Sequence, residues 1–229
     1  NGLSPEVLKR LGEKNALPTQ LYVSMNASNE KLFNKWHKSQ TKNAWKKFNQ
    51  TLEIFPKLKT RKVVRMTLVK GLNNNMKEEM IKDYAELINK AKPDFIEVKA
   101  YMHVGQSQER LQKNNMPLHE EVVAFSKKLN SFLEDYEIVS EHIPSRVVMF
   151  ALKKYNIDGI WNTWIDFEKW ANFVNSDEIG DYNKKTPTVG LSGKGTWEGM
   201  PDHVRKRWIE ENDGMPVFVD EETQEIELE

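Results

Sequence analysis

The sequence predicts an α/β fold organised around a parallel sheet, because a unit of strand, loop and helix recurs three times at spacings of roughly 35 to 40 residues. Two further observations agree. The strand candidates are short runs rich in β-branched and aromatic residues between turn formers, and the helix candidates repeat apolar residues at helical spacing. This is the rhythm of a parallel sheet or barrel rather than of a sandwich.

In chain order, Ser4-Pro5 reads as a helix N-cap and first-turn proline, opening a helix through about Lys14 with Val7, Leu8 and Leu11 on one face. Pro18 admits a strand from Gln20 to Met25. Asn29 caps a second helix, and Trp45, Phe48, Leu52 and Phe55 mark a third that Pro56 stops. Thr60 to Val69 is the next strand, the run from Gly71 to Asn75 a turn, and Lys77 to Ala91 a helix. Phe95 to Tyr101 is the third strand and Pro117 to Leu133 the helix after it.

After Tyr136 the pattern shortens to strands over Glu137 to Ser140, Val147 to Leu152 and Ile160 to Trp164, with one helix near Phe167 to Val174. These predict a small antiparallel addition to the sheet. Residues 176–229 keep no periodicity, hold six of the eleven glycines and end in an acidic run, which predicts an extended tail. The expected division is 1–135 for the repeated units, 136–175 for the strands and helix that complete the domain, and 176–229 for the tail.

With 38% hydrophobic residues, the 229-residue chain can build a core, and no run approaches the ~18 apolar residues of a membrane span. A soluble, cytoplasmic protein is expected, and the start Asn1-Gly2-Leu3 reads as cut from a longer chain. The absence of cysteine excludes disulfides, thiolate nucleophiles and cysteine-ligated metal in this chain. The five histidines are scattered, with no pair at i, i+4, and predict no metal site. Net charge is zero, yet six acids lie in residues 220–229, leaving the rest with a surplus of six bases. Lys35, Lys38, Lys42, Lys46 and Lys47 interleave with Trp36, His37 and Trp45, and Lys57, Lys59, Arg61 and Lys62 follow. Such a cluster could bind a phosphate backbone; it could equally be a solvated helix face.

Ligands of parallel β/α folds gather at the C-terminal ends of the strands. Three sets of residues are nominated: Ser24, Asn26 and Ser28; Lys70 with Asn73 and Asn74; and Glu97, Lys99, Tyr101 and His103, continuing into Ser107 and Arg110. Alternation places Glu97, Lys99 and Tyr101 on one face, with Arg65 and Thr67 a similar pair on the strand before. Such groups either pair structurally, with one another or with a neighbouring strand, or contact a polar ligand.

Four segments taken in order, Pro18-Thr-Gln-Leu-Tyr-Val-Ser24, Arg65-Met-Thr-Leu-Val-Lys-Gly71, Phe95-Ile-Glu-Val-Lys-Ala-Tyr-Met-His-Val-Gly105 and Pro144-Ser-Arg-Val147, resemble the 4-demethylwyosine synthase family. Trp161-Asn-Thr-Trp-Ile-Asp166 resembles the C-terminal extension of its eukaryotic members. The resemblance implies a partial parallel (β/α) barrel of radical-SAM type. It implies a lyase that uses S-adenosylmethionine and 4Fe-4S clusters to convert N1-methylguanosine of phenylalanine tRNA, with pyruvate, to 4-demethylwyosine.

The family's cluster cysteines and its pyruvate-condensing lysine would lie upstream of Asn1, so the chain alone is expected to be inactive and to need the missing N-terminal portion. On the same resemblance Asn1, Ser24, Asn26, Arg65 and Asn73 would face S-adenosylmethionine, with Asn26 standing where the family has aspartate. Lys70, Glu97, Lys99 and Tyr101 would line the substrate pocket, and Lys42, Lys46, Lys47, Ser107 and Arg110 would contact tRNA. Two other readings stay open: a non-catalytic tRNA- or partner-binding remnant, and an unrelated pyruvate-type lyase using Lys70 or Lys99 as Schiff-base amine.

Overall fold

Three strands run parallel and in chain order along one side of a mixed sheet: β1 (Gln20–Ser24), β2 (Arg61–Leu68) and β3 (Phe95–Ala100). The structure is a computed structural model and describes residues 2–73, 76–173, 183–185 and 206. Helices fill the crossovers: α1 (Pro5–Glu13) precedes β1, α2 (Glu30–His37) and α3 (Ala44–Ile54) link β1 to β2, and α4 (Glu78–Ala91) links β2 to β3. After α5 (His119–Asn130) the hairpin β4 (Tyr136–His142) and β5 (Val147–Leu152) joins the same sheet, β5 pairing antiparallel with β3, to give the order β1-β2-β3-β5-β4. The antiparallel addition is therefore part of the main sheet. The sheet is open, since β1 pairs only with β2 among the described residues.

Local chemistry sets most boundaries. Asn29 Oδ1 accepts the Leu32 amide at 3.0 Å and caps α2, while Pro5 occupies the first turn of α1. The predicted Ser4 cap is not made by its hydroxyl: its carbonyl instead receives the amides of Val7 and Leu8. Val7 is exposed, so the buried stripe of α1 is narrower than its spacing suggests. The predicted strand from Ile160 to Trp164 is two short pieces, β7 (Ile160–Trp161), paired with β6 (Asn156–Ile157), and β8 (Trp164–Ile165), followed by α6 (Phe167–Phe173). Of the predicted tail only 183–185 and 206 are described, and there β9 (Asn183–Lys184) pairs with β8; the rest lies outside the described residues.

The two faces of the sheet differ. Met66, Leu68, Ile96, Val98 and Phe150 point to one side and pack under Phe48, Leu52, Ile81, Tyr84 and Phe125 of the helices. Each such side chain contributes ~1.5–3 kcal/mol of burial. On the other face, among the described residues, the lower, N-terminal part is covered, where Val63, Phe95, Val139 and Ala151 meet Met149, Tyr155 and Trp161. The upper part of that face carries the polar residues.

Candidate functional site

Register fixes which side chains stand together on the uncovered face. Ser24, Arg65, Glu97 and Met149 form one row across β1, β2, β3 and β5. One step nearer the strand C-termini, Thr67, Lys99, Val147 and His142 form the next row. A β-bulge between Ile138 and Ser140 makes this possible. Without the extra residue, strict alternation would put His142 on the same side as Tyr136 and Ile138, beneath the helices. With it, His142 joins the polar face and Glu141 turns the other way, where it meets His119 Nε2 of α5 at 2.8 Å.

The lower row is internally paired. The Arg65 guanidinium donates through Nε and Nη2 to Glu97 Oε2, both at 2.7 Å, and its carbon lies 4.8 Å from the centre of the Tyr22 ring. Tyr22 donates its hydroxyl to Glu97 Oε1 at 2.9 Å. Burial, and then the facing carboxylate of Glu97, push the Tyr22 hydroxyl up to about 12. Glu97 thus bonds Arg65 on the adjacent β2 and Tyr22 one strand further, on β1, rather than Lys99, and Tyr22 is the member of this ladder that sequence reasoning missed; its place two residues before Ser24 on one strand was the available signal.

The upper row is not paired. Lys99 is half-buried and makes no hydrogen bond or ion pair among the described residues. His142, also half-buried, is held below the ordinary histidine range by burial, then by the positive charge of His119 and Lys99.

Around the strand ends, several nominated residues serve the scaffold. Asn73 is fully buried: its Oδ1 accepts the Val69 amide at 2.6 Å, and its Nδ2 donates to the carbonyls of Asn26 at 2.9 Å and Thr67 at 2.8 Å. Both of its amide hydrogens are committed, which corrects its assignment as a ligand contact. Asn26 Oδ1 accepts the Thr67 amide at 3.0 Å, continuing the β1–β2 pairing past the end of β1, and leaves Nδ2 available. Ser24 is exposed at the end of β1. Lys70 pairs with Glu121 at 2.9 Å. Burial would raise the Glu121 carboxyl, but that ammonium and the Leu118 amide hold it below the usual range.

Tyr101 lies just beyond β3, buried, with its hydroxyl 3.1 Å from both His103 Nδ1 and Ser107 Oγ. Ser107 donates to the Val104 carbonyl at 2.6 Å, whereas Arg110 is exposed. Asn1 lies outside the described residues.

The basic cluster does not form one surface. Lys42, Lys46 and Lys47 sit at the N-terminal turn of α3, which as a crossover between parallel strands starts at their C-terminal ends. Trp45 packs on Phe33 and Phe48, 5.4 and 5.7 Å between ring centres, so it is part of the core rather than a free stacking platform. Arg61 and Lys62 lie at the opposite end and are buried. Arg61 stacks 4.1 Å over Phe95 and bonds Gln20, Asn183 and the Thr163 carbonyl. Lys62 pairs with the buried Asp94 at 3.0 Å, and Lys154 closes on the same carboxylate at 2.7 Å. A cleft of about 300 Å³ beside Arg61, Phe95 and Trp164 reaches from this end up to Tyr22, Glu97 and Met149 of the lower polar row.

A family model described as wyosine base formation matches residues 90–152, the stretch that carries β3, the Tyr101 loop, the bulge and His142. An S-adenosyl-L-methionine-dependent tRNA 4-demethylwyosine synthase of Danio rerio is 38% identical over 187 residues, covering 77% of this chain and 25% of its own. One from Pyrococcus abyssi is 44% identical over 149 residues, covering 65% of this chain and 42% of its own. The chain belongs to the wyosine-base-forming family. Among solved structures, TYW1 with a lysine-pyruvate adduct bound superposes with a TM-score of 0.57 at 29% identity, over 67% of this chain and 46% of that one. The chain thus spans between a quarter and a half of the length of these family members.

A thiolate-held 4Fe-4S cluster does not fit the residues of this chain, which has no cysteine. Among the described residues no helix is long and apolar enough to cross a membrane.

Proposed function

We propose that this chain forms part of the active-site wall of a radical-SAM tRNA 4-demethylwyosine synthase, which converts N1-methylguanosine of phenylalanine tRNA and pyruvate to the tricyclic base. The observation that carries the reading is the polar face at the strand C-termini, left open among the described residues, of which Glu97, Lys99 and His142 lie in the segment matched by the wyosine-base model. Cluster and radical chemistry would come from residues outside this chain, and the fold would be completed as a partial barrel by that missing portion. S-adenosylmethionine, when bound, supplies the hydrogen-abstracting group. Exposed Ser24, the Asn26 Nδ2 and the Arg65 guanidinium are donors suited to its hydroxyl and carboxylate oxygens.

On this reading Glu97, Lys99, Tyr101 and Lys70 line the side that receives the modified guanine and pyruvate. Arg65 and Glu97 hold each other's geometry, and Tyr101 fixes the following loop through His103 and Ser107. Lys42, Lys46 and Lys47 at the start of α3, with Arg110 beyond β3, flank the same end and suit the tRNA backbone. The site of action is the cytoplasm.

A second reading, a non-catalytic tRNA-binding module of the same fold, is favoured by the absence of cysteine. Binding to phenylalanine tRNA with and without N1-methylguanosine, across a salt series, tests the first reading. Preference for the methylated tRNA is expected from a formed substrate pocket, while equal and steeply salt-dependent binding leaves only a basic surface and overturns it.

A further inference from the structure

On the polar face every charge of the lower row is matched, and the row above breaks the pattern. Arg65 is answered by Glu97. Lys99 and His142, with only Val147 between them in the register, have no carboxylate in their row. Adjacent strands are ~4.8 Å apart, so the two side chains stand about 10 Å apart at their roots, and a four-carbon stem brings the ammonium toward the imidazole. Burial first, then His119, and last Lys99 make the imidazole reluctant to take a proton.

The surrounding elements offer little neutralisation. Glu141, next along β4, is turned through the sheet to His119 on α5. Arg146, next to Val147, spends its Nη1 on the Pro117 carbonyl at 2.9 Å, and Thr67 on β2 brings a hydroxyl. Glu97 is one row lower and doubly engaged.

A β-bulge spends ladder hydrogen bonds, and bulges often re-aim a side chain toward a functional cavity. Here the bulge turns His142 to the face of a lysine that has no ion pair among the described residues, and turns the adjacent carboxylate, Glu141, to the other side. Two cations placed together at the ligand-facing end of a sheet repel each other in the empty protein and attract an anion into the gap. We propose that Lys99 and His142 form a subsite for an anionic oxygen group, the carboxylate of a small acid or a phosphate, held between ammonium and imidazolium. The proposal takes from the preceding section only that the open face receives ligand, and it names the ligand chemistry of its upper row.

The test uses the whole chain and follows the ring signals of His142 by NMR as pH is varied, with the signal assigned by its loss in His142→Asn. Sodium pyruvate and inorganic phosphate are added separately, against sodium chloride at equal ionic strength. The expected result is a saturable rise in the His142 titration midpoint with at least one of the two anions, with tighter binding at lower pH. Lys99→Met weakens that binding by about tenfold or more, because a charge-assisted bond is lost. Lys99→Arg keeps it, which separates ion binding from an imine that only lysine could form.

Because Lys99 has no partner among the described residues, both variants should keep the amide dispersion of the parent, and Lys99→Arg alone carries the comparison if the methionine variant does not. A response to pyruvate alone identifies a carboxylate site, and to phosphate alone a phosphate site. No effect beyond chloride from either anion, or undiminished binding in folded Lys99→Met, overturns the proposal. Methylguanosine-dependent tRNA binding can fail or succeed independently of this outcome.

Discussion

At the N-terminal ends of the strands Asp94, 2% exposed, gathers Lys62 and Lys154 and also accepts the Lys62 amide, whereas at the C-terminal ends Lys99 and His142 share a row with no carboxylate. Both ends bury charge in the same sheet, about a strand length apart. One is arranged for stability, since a buried ion is tolerated when partners surround it. The other keeps its charge unmet, an arrangement that folding alone gives no reason to retain and that a ligand would complete. The two ends should therefore respond in opposite ways to removal of a charge.

The largest effect is expected at the closed end. Asp94→Ala strips the partner from buried Lys62 and should lower unfolding stability by about 3–5 kcal/mol, read from urea midpoints at neutral pH. Burial would raise the Asp94 carboxyl, but the bonds from Lys154 and Lys62 outweigh it and hold the folded value below the usual range. Its stabilisation is thus complete above the unfolded value of about 3.9 and is lost as pH falls through the folded one. The parent should accordingly lose more stability than Asp94→Ala between neutral pH and pH ~3. Parallel acid profiles for the two proteins would remove Asp94 as the anchor.

Asn73→Ala comes next. It leaves the Val69 amide and the carbonyls of Asn26 and Thr67 without their partner, and should destabilise by about 1–3 kcal/mol in the same assay. A loss this size would mark Asn73 as the brace of the β2 turn. A change under ~0.5 kcal/mol would mean that water replaces it.

How much of this could be read from the chain follows from the range of each signal. The strands and helices were legible because β1 to β3 and α3 to α5 repeat apolar residues at regular periods and are flanked by proline, glycine or asparagine. The open face was half legible: alternation placed Glu97 with Lys99, but the partner of Glu97 is 32 residues away on β2. Asp94 escaped notice because a lone aspartate after Pro93 reads as a turn, and Lys154 lies 60 residues on. His142 escaped because a bulge breaks the period that assigns faces, and nothing in Ile138-Val139-Ser140 announces an extra residue. The basic cluster misled because nearness along the chain placed Lys42 with Lys62, whereas α3 carries them to opposite ends of the sheet.

A middle-sized effect sharpens the contrast from within the paired row. Removing the carboxylate charge in Glu97→Gln should bring the Tyr22 hydroxyl down from about 12, though not to its ordinary value, because burial is the larger cause. Ultraviolet titration of the phenolate measures this directly. A raised tyrosine pKa contributes stability below the unfolded value of about 10 and forfeits it as pH climbs through the folded value. The parent should thus lose stability above pH ~10 more steeply than Glu97→Gln. An unmoved Tyr22 titration would mean that the Tyr22–Glu97 bond is not maintained in solution.

The smallest effect is the one that decides between the two ends. Lys99→Met removes a half-buried cation, yet among the described residues it breaks no ion pair, so stability should change by no more than ~0.5 kcal/mol. Its sign should be a gain at low ionic strength and at a pH low enough to protonate His142, because the repulsion between the two cations disappears, and added salt should shrink that gain. Lys62→Met at the closed end should instead destabilise severely, since buried Asp94 loses one of its two ammonium partners and keeps the exposed Lys154 and the backbone amide of residue 62. Urea midpoints for the pair of variants at two salt concentrations make the comparison. A loss above ~1 kcal/mol in Lys99→Met would show that this lysine is held by the fold, and the charge at the upper row would then need no ligand to explain it.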